Sequence, residues 1–490
     1  MINDFIKDFA KYIPAQFVPA LVGLITIPIV TRLFSPADYG NYVLVTATVS
    51  ILTTIAVGWL DNSIIRFYPA YELRGELSYF YNSVLGMTLV SVAAIFVIFL
   101  GILSLGQVHI SASLCSLMRL GGLVFIVTSF FQVLQTFLRA KRQVQWYTSF
   151  ALWHSVAKVG LGITLIFMWN MGIEGLLWGS VISIVIAMPL LYWFSVGKGT
   201  SVKVGISLPM VSEMAKYGFP LVVSFLASWI MSFSDRYILG LFRSSQEVGI
   251  YSASYGIAEQ TIFMLSSLFI MASGPLSMNV WEKQGVEKSK EFLIKLTRYW
   301  IIIGLPATVG LSILARSIIN IMAAPEYYRG FQIIPLVSFG AFLSALGGRY
   351  ATPFMWYNKT KLLAACTGVS CLLNVGLNFL LIPMYGYMAA AVTTFISSAV
   401  GFLFGIFVSR KFFIWKFPFK TLVKVACASI VMGAAIYPLG NNLTSSPLIN
   451  LCVSIPAGVG VYFLSLVALK GFEANEIEAL LAWRRKVIKR

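Results

Sequence analysis

The sequence predicts an all-α polytopic membrane protein with about fourteen transmembrane helices. Of its 490 residues, 58% are hydrophobic and only 11% are charged, and the mean hydropathy is +0.84. A soluble domain of this composition would expose its apolar core to water. Apolar runs of about 20 residues recur from end to end, whereas the strands of a membrane β-barrel would alternate over about 10 residues. The predicted spans are therefore helices.

Each predicted span is an apolar run long enough to cross the hydrocarbon core of a bilayer. The runs cover residues 12–34, 41–61, 81–105, 116–138, 146–169, 175–197, 215–242, 248–272, 296–316, 330–350, 362–382, 386–408, 420–439 and 447–469. Three prolines interrupt the first run, where each removes a backbone donor and favours a bend. No small-residue cleavage site follows a short apolar core, so we expect the first span to be retained.

The first six spans resemble the next six in order. Gly-Asn-Tyr at 40–42 matches Gly-Ile-Tyr at 249–251, and Leu-Phe at 33–34 matches Leu-Phe at 241–242. Because each copy contains an even number of spans, both copies enter the membrane from the same side. We therefore expect two six-helix lobes related by a pseudo-twofold axis along the membrane normal, with two extra C-terminal helices.

The predicted domain boundaries follow from this repeat. Residues 1–197 form the N-terminal lobe, and 198–214 form a polar cytoplasmic linker. Residues 215–408 form the C-terminal lobe, and 409–490 hold the last two spans with a basic cytoplasmic tail.

The basic residues indicate the orientation of the chain in the membrane. The chain has 36 Lys and Arg against 18 Asp and Glu, a net charge of +18. Most of the basic residues fall in the N-terminal segment, in alternate loops and in the tail, which places them on one face. The positive-inside rule then puts both termini in the cytoplasm. We interpret the excess charge as a topology signal and a contact for anionic lipids rather than for nucleic acid.

The residue patterns of enzymatic sites are missing from the sequence. The two histidines, His109 and His154, are too few and too far apart for a metal site, and the 5 cysteines lie in or beside apolar spans without metal-ligand spacing. Neither a phosphate-binding glycine loop nor a nucleophile elbow is present. The sequence therefore predicts a protein that is not an enzyme and that has no metal site and no cofactor.

Charged residues inside the predicted spans, or just beyond their ends, are the candidate functional groups, because such residues usually face a bundle interior or a water-filled cavity. The candidates are the basic residues Arg32, Arg66, Lys158, Arg236 and Arg349 and the acidic residues Asp61, Asp235 and Glu259. Lys158 and Glu259 lie near mid-span, so they either pair with each other or meet a molecule that enters a cleft.

Structural roles are the alternative for the other charged residues. Arg32 lies close enough to a span end to reach the headgroups, and Asp61 is placed to cap a helix end. Asp235 and Arg236 would pair with neighbours rather than with each other, since adjacent helical positions diverge by about 100°.

Two segments carry a resemblance to a known family. They are LDNSIIRFYPAYE at 60–72 and SDRYILGLFRSSQEVGIYSASYGIAEQ at 234–260. Both resemble the polysaccharide-unit flippases, the Wzx-type transporters, of the superfamily of multidrug extruders, oligosaccharide flippases and the lipid II flippase. The similarity covers essentially the whole chain. Arg66, Asp235 and Arg236 match the family pattern by position, whereas Arg32, Lys158 and Glu259 are inferred only from their places in the spans.

The resemblance implies two lobes in a V around a cationic central cavity. To this cavity we assign the five basic candidates as substrate-binding groups, with Asp61, Asp235 and Glu259 as charge partners or ion-coupling groups. The implied activity is movement of an undecaprenyl-diphosphate-linked glycan unit from the inner to the outer leaflet of a bacterial cytoplasmic membrane by alternating access. The product would be a surface polysaccharide such as the O-antigen of lipopolysaccharide. The expected partners are this substrate and membrane lipids, with a glycan polymerase and a chain-length regulator as further candidates around a monomer.

Two other functions stay open at this point. A proton- or sodium-coupled extruder of small cations on the same fold would use Glu259 and Asp61 as ion sites, although the mid-span charge of the first lobe is the basic Lys158. A membrane glycan polymerase or ligase would need sizeable outer loops, which the sequence does not predict.

Overall fold

The computed structural model describes residues 2–108, 110–197, 206–473 and 476. Within these residues the regular structure consists of thirteen α-helices and one 3₁₀ helix, without a strand. The predicted all-α class is therefore confirmed. The first part of the predicted linker, 198–205, and the tail beyond 476 lie outside the described residues.

The helices follow one another through short connections. In chain order they are α1 (Ile2–Leu33), α2 (Pro36–Leu73), α3 (Leu77–Gly106), α4 (Ala112–Ala140), α5 (Val144–Trp169), α6 (Glu174–Ser195), α7 (Leu208–Phe242), α8 (Ser245–Ile313), α9 (Ala315–Met322), the 3₁₀ helix (Pro325–Ile333), α10 (Ile334–Trp356), α11 (Thr360–Ser409), α12 (Phe419–Asn442) and α13 (Pro447–Ala468). In the described part of the chain, 12 helices are long and apolar enough to cross a membrane. The protein is therefore a multi-pass membrane protein.

Helices α8 and α11 each contain a sharp break at a glycine. Gly285 has φ 77° in α8, and Gly386 has φ 60° in α11. Glycine adopts such left-handed conformations without the steric penalty of a Cβ. Each broken helix carries two of the predicted spans, and α9, with 8 residues, is too short to be one. The twelve longer α-helices that the structure describes therefore account for fourteen spans.

Some polar segments that the sequence analysis treated as connections are helical. Helix α2 runs well past the predicted span 41–61, from its cap at Ser35 to the turn at Gly75, where φ is 72°. Arg66 therefore lies inside α2 and not beyond its end. The segment 317–329, between the predicted spans 296–316 and 330–350, likewise contains most of α9 and part of the 3₁₀ helix. Hydropathy marks the apolar part of a helix but not its polar extension, so the predicted boundaries fell short.

The contacts group residues 1–252 into one compact unit and 253–490 into another. In the first unit, α2 is the central helix and packs against α3, α4 and α7. In the second unit, α10 packs against α11, and α12 packs against α13 and α9. The predicted lobe boundaries follow the repeat in the sequence, whereas these two units follow from contacts between residues. The lobe boundaries therefore stay a prediction.

Two repeat-related glycines contact each other within the first unit. A Cβ on Gly40 would overlap the carbonyl oxygen of Ser245 and lie 3.0 Å from the amide nitrogen of Gly249, and a Cβ on Gly249 would overlap the carbonyl oxygen of Pro36. The contact is reciprocal, because each glycine packs against the residue four positions before the other. Only glycine allows two backbones to approach so closely. The positions that the repeat equates thus meet near the starts of α2 and α8.

Candidate functional site: a polar cavity in the first unit

The first unit contains an open cavity of about 590 Å³ among α2, α4, α5 and α7. This volume falls in the range of small-molecule sites, roughly 300–1,000 Å³. Most of the lining side chains can form hydrogen bonds. The polar and aromatic members are Ser50, Thr54, Asp61, Asn62, Gln132, Gln135, Arg139, Tyr147, Phe225, Ser228, Trp229 and Ser232.

Helical spacing explains why these residues share one cavity. The lining positions of α2 are 50, 54, 58, 61, 62 and 65, those of α4 are 132, 135 and 139, and those of α7 are 225, 228, 229 and 232. Residues three or four apart lie on the same face of a helix. Each of these helices therefore turns one stripe toward the cavity.

Asp61 is the acidic residue of the cavity wall, and only 8% of its surface is exposed. The Thr136 hydroxyl donates a hydrogen bond of 2.9 Å to its Oδ1, and the Gln132 amide donates to its Oδ2. A carboxylate has about four lone-pair positions, so these two bonds leave room for a further donor. Asp61 lies inside α2 and contacts α4, and the prediction that it caps a helix end is therefore wrong.

Arg139 is a basic residue of the wall that was not among the sequence-predicted candidates. Its Nη2 donates a hydrogen bond of 2.8 Å to Thr136 Oγ1, and its guanidinium lies 5.6 Å from the ring centroid of Tyr147. Arg139 falls just beyond the predicted span 116–138 but within the last turn of α4. The polar stripe that Gln132, Gln135 and Arg139 form on α4 was the signal that could have located it.

Arg66 is exposed on α2, next in sequence to the lining residue Ile65. Its guanidinium lies 5.1 Å from the ring centroid of Tyr217, on α7. A cation over an aromatic ring is held by the ring quadrupole, and the contact is weak where solvent reaches it. Arg66 therefore remains available for an anion, and its substrate role stays a prediction.

Asp235 and Arg236 form a buried ion pair, with 2% and 6% of their surfaces exposed. Asp235 Oδ1 accepts hydrogen bonds from the Arg236 amide at 2.8 Å and from its Nη1 at 3.0 Å. The Tyr251 hydroxyl donates to Asp235 Oδ2 at 2.5 Å. Arg236 Nη1 also donates to the carbonyl oxygen of Ser232. Arg236 is therefore hydrogen-bonded to a residue that lines the cavity, although it is not among the lining residues itself.

The prediction that Asp235 and Arg236 would pair only with other neighbours is wrong. The angle between adjacent helical positions separates their Cβ atoms, but the long arginine side chain spans that separation. Two aromatic rings, those of Phe233 and Tyr251, flank the guanidinium at 5.2 and 5.5 Å from their centroids. The pair is therefore packed inside the first unit, and a direct contact of Arg236 with substrate stays a prediction.

Two further basic candidates lie apart from this cavity. Lys158 is half-buried on α5, one turn after His154, whose Nδ1 lies 2.9 Å from Ser183 Oγ of α6. Arg32 is exposed at the end of α1, where its Nη1 donates to the Pro28 carbonyl oxygen at 3.3 Å. Neither residue is among those that line the cavity, and their substrate roles stay predictions.

The remaining two candidates belong to the second unit. Glu259 lines a smaller cavity of about 240 Å³ and accepts a hydrogen bond of 3.2 Å from the Tyr255 hydroxyl. Arg349 of α10 is only 4% exposed, and its Nε and Nη2 have no hydrogen-bond partner among the described residues. The predicted contact between Glu259 and Lys158 stays a prediction.

The fold defines the class of the protein, a polytopic helical membrane protein built like known transporters. The lipid II flippase MurJ in an inward closed conformation superposes with a TM-score of 0.71 at 16% sequence identity, over 92% of this chain and 96% of MurJ. An inward-facing multidrug resistance transporter of the MATE family superposes with a TM-score of 0.63 at 15% identity, over 81% of this chain and 98% of that one. At these identities the likeness shows the fold alone.

The chain belongs to the family described as polysaccharide biosynthesis protein, whose sequence model matches residues 5–280. An uncharacterised membrane protein of Methanocaldococcus jannaschii is 22% identical over 99% of both chains. In Haloferax volcanii, the probable low-salt glycan biosynthesis flippase Agl15 is 24% identical over 49% of this chain and 51% of its own. The probable flippase AglR of the same organism is 23% identical over 74% of this chain and 76% of its own.

Proposed function

We propose that the protein is a flippase that moves a polyprenyl-diphosphate-linked glycan unit across the membrane by alternating access. The observation that carries the proposal is a polar cavity inside a membrane-spanning unit of a polysaccharide biosynthesis family member. The names of two relatives, both probable flippases and one of them in glycan biosynthesis, support the same activity. The fold shared with a lipid II flippase is compatible with it.

The physical need for such a cavity follows from the chemistry of the substrate. An isolated ion in hydrocarbon costs tens of kcal/mol in the idealised limit, so a diphosphate and its sugars do not cross unaided. A cavity lined by hydrogen-bonding side chains replaces the lost hydration of the sugars. The polyprenyl tail stays in the lipid throughout.

Arg66 is the best-placed of the predicted basic residues to meet the diphosphate. It is exposed, it lies on the helix that carries Asp61, and it is adjacent to a lining residue. The forked donors of arginine match phosphate oxygens in a bidentate contact. Outward movement of two negative charges across about 100 mV, inside negative, releases about 4.6 kcal/mol, which favours export.

The finer assignments belong to the same proposal. The carrier is undecaprenyl diphosphate, the movement is from the inner to the outer leaflet of a bacterial cytoplasmic membrane, and both termini are cytoplasmic. The glycan enters a surface polymer such as O-antigen, made with a polymerase and a chain-length regulator. The flippase acts as a monomer.

A cation extruder is the second candidate function. A buried acidic residue in the cavity, Asp61, and the fold shared with a multidrug transporter favour it. Asp61 is, however, already bonded to Gln132 and Thr136, and Thr136 links it to the guanidinium of Arg139. A neighbouring positive charge weakens the attraction of this carboxylate for a cationic drug.

Reconstitution into vesicles tests the two functions against each other. A prenyl-diphosphate disaccharide with a nitrobenzoxadiazole label on the sugar is placed in both leaflets, and dithionite is added outside. In vesicles with the protein, we expect bleaching of the inner-leaflet label as well as the outer. Arg66→Ala should slow the bleaching of the inner-leaflet label about tenfold. This is the effect of losing about 1.4 kcal/mol of charge-assisted contact.

Arg74→Ala is the matched control, because Arg74 is an exposed arginine at the C-terminal end of the same helix. It should bleach as fast as the wild type. A different outcome would identify an extruder and not a flippase. In that outcome only the outer-leaflet label bleaches, and the same vesicles accumulate ethidium when a proton or sodium gradient is applied.

A further inference from the structure

The charges of the first-unit cavity disfavour a multiply charged occupant. Asp61 and Arg139 are the two charged residues among those that line it, and Thr136 connects them through hydrogen bonds. The wall therefore has no net charge. A diphosphate placed here would meet a carboxylate, and a cation would meet a guanidinium. The cavity is suited to a polar molecule without charge.

Some hydrogen-bonding groups of the wall have no partner within the part of the protein that the structure describes. Gln135 Nε2 is buried and has no partner among the described residues, and a buried unsatisfied donor costs about 1–3 kcal/mol. Asp61, on the neighbouring helix α2, has acceptor positions left over. A molecule with neighbouring hydroxyl groups can accept from Gln135 and donate to Asp61 at the same time, because each hydroxyl is both donor and acceptor.

One side of the cavity offers a flat apolar surface held in place. The indole Nε1 of Trp229 donates a hydrogen bond of 3.2 Å to the Ala47 carbonyl oxygen, and its ring lies 5.5 Å from the ring of Tyr237, centroid to centroid. Phe225 lies one turn before Trp229 on α7 and also lines the cavity. Aromatic faces fixed in this way pack against rigid apolar surfaces with little loss of side-chain entropy.

We infer that this cavity is a subsite for an uncharged sugar residue of the lipid-linked glycan. The Asp61 carboxylate and the Gln135 amide bind its hydroxyls, and the Trp229 ring packs against its C–H face. The inference rests on the proposed flippase function and adds that the sugar and the diphosphate bind at different places. The sugar is recognised in the neutral cavity of the first unit, and the diphosphate is bound by basic residues outside the cavity wall.

Binding of two matched probes tests this assignment on the full chain in nanodiscs. The first probe is farnesyl diphosphate, and the second is farnesyl diphosphate that carries one glucose, galactose or N-acetylglucosamine. The wild type should bind at least one glycosylated probe about tenfold more tightly than the bare probe. Gln135→Ala and Trp229→Leu should each abolish this preference and leave the affinity for farnesyl diphosphate within about twofold.

The controls separate a local effect from a general one. Gln284→Ala and Trp169→Leu make the same changes at exposed positions outside the cavity and should keep the wild-type preference. Asp61→Asn should retain a reduced preference for the glycosylated probe, because an amide oxygen still accepts a hydroxyl hydrogen bond.

The outcomes distinguish this inference from the proposed function. The subsite is disproved if the wild type binds glycosylated and bare probes equally, or if Gln135→Ala and Trp229→Leu weaken both probes to the same extent. A wild type that binds neither kind of probe contradicts the flippase function itself. A preference that disappears in the Gln284→Ala control also overturns the assignment to the cavity.

Discussion

Asp235→Ala should lower the stability of the protein by about 3–5 kcal/mol, because it leaves the Arg236 guanidinium buried without its carboxylate. The pair is almost inaccessible, with 2% and 6% of its surfaces exposed. Desolvation makes the loss of one partner of a buried pair far more costly than the loss of one partner at a surface. A thermal-unfolding measurement on purified protein should show a fall of about 3–5 °C in the midpoint temperature, because 1 kcal/mol corresponds to about 1 °C for a chain of 490 residues.

The exposed pair between Arg243 and Glu247 provides the matched control. Its Nε to Oε1 distance is also 3.0 Å, but its side chains are 37% and 21% exposed. Glu247→Ala removes a carboxylate from an arginine in the same way and should cost no more than about 1 kcal/mol.

A double variant isolates the electrostatic part of the effect. Replacing both residues by apolar side chains of similar volume, Asp235→Leu with Arg236→Met, removes the uncompensated charge. We expect it to recover most of the stability that Asp235→Ala loses. If Asp235→Ala unfolds at the wild-type temperature but no longer flips the labelled glycan, the pair acts on the substrate and not on the packing of the first unit.

Gly249→Ala should be among the most destabilising single-methyl additions in this protein. The new Cβ would overlap the carbonyl oxygen of Pro36, which is backbone and cannot rotate away as a side chain would. Overpacking typically costs about 1–3 kcal/mol, and we expect a loss of stability of about 3 kcal/mol or more here. Gly40→Ala should behave similarly, because it meets the carbonyl oxygen of Ser245 in the reciprocal contact.

Gly101→Ala is the control for this substitution. A Cβ at Gly101, in α3, would have no atom within 4 Å, and alanine stabilises a helix by up to about 1 kcal/mol relative to glycine. This variant should unfold at or slightly above the wild-type temperature. Equal stability of Gly249→Ala and Gly101→Ala would show that α2 and α8 do not need the close approach of their backbones.

The sequence was sufficient to locate the helices but not all of their ends. Long apolar runs identify spans because a bilayer requires about 20 apolar residues, a property of one segment by itself. The breaks at Gly285 and Gly386 and the extension of α2 beyond residue 61 do not follow from hydropathy. A polar helical extension and a loop have similar compositions, and contacts with other helices decide between them.

The candidate site was predicted only in part. Of the eight charged candidates, Asp61 lines the first-unit cavity, and Asp235 and Arg236 form a buried pair that is hydrogen-bonded to the lining residue Ser232. Arg139 and Gln135, which complete the wall, were not among the candidates. Gln135 is an uncharged amide and Arg139 lies in the last turn of α4, so neither is a charge inside a predicted span.

The sequence by itself determined the class of fold, the family pattern and the positions that the internal repeat equates. These properties depend on composition and on spacing along one chain. The tertiary structure decided which stripes of α2, α4 and α7 face one another, that Asp235 pairs with its own neighbour, and that Gly40 meets Gly249. The physical reason is that helical periodicity specifies which residues share a face, whereas the partner of that face depends on packing between segments far apart in sequence.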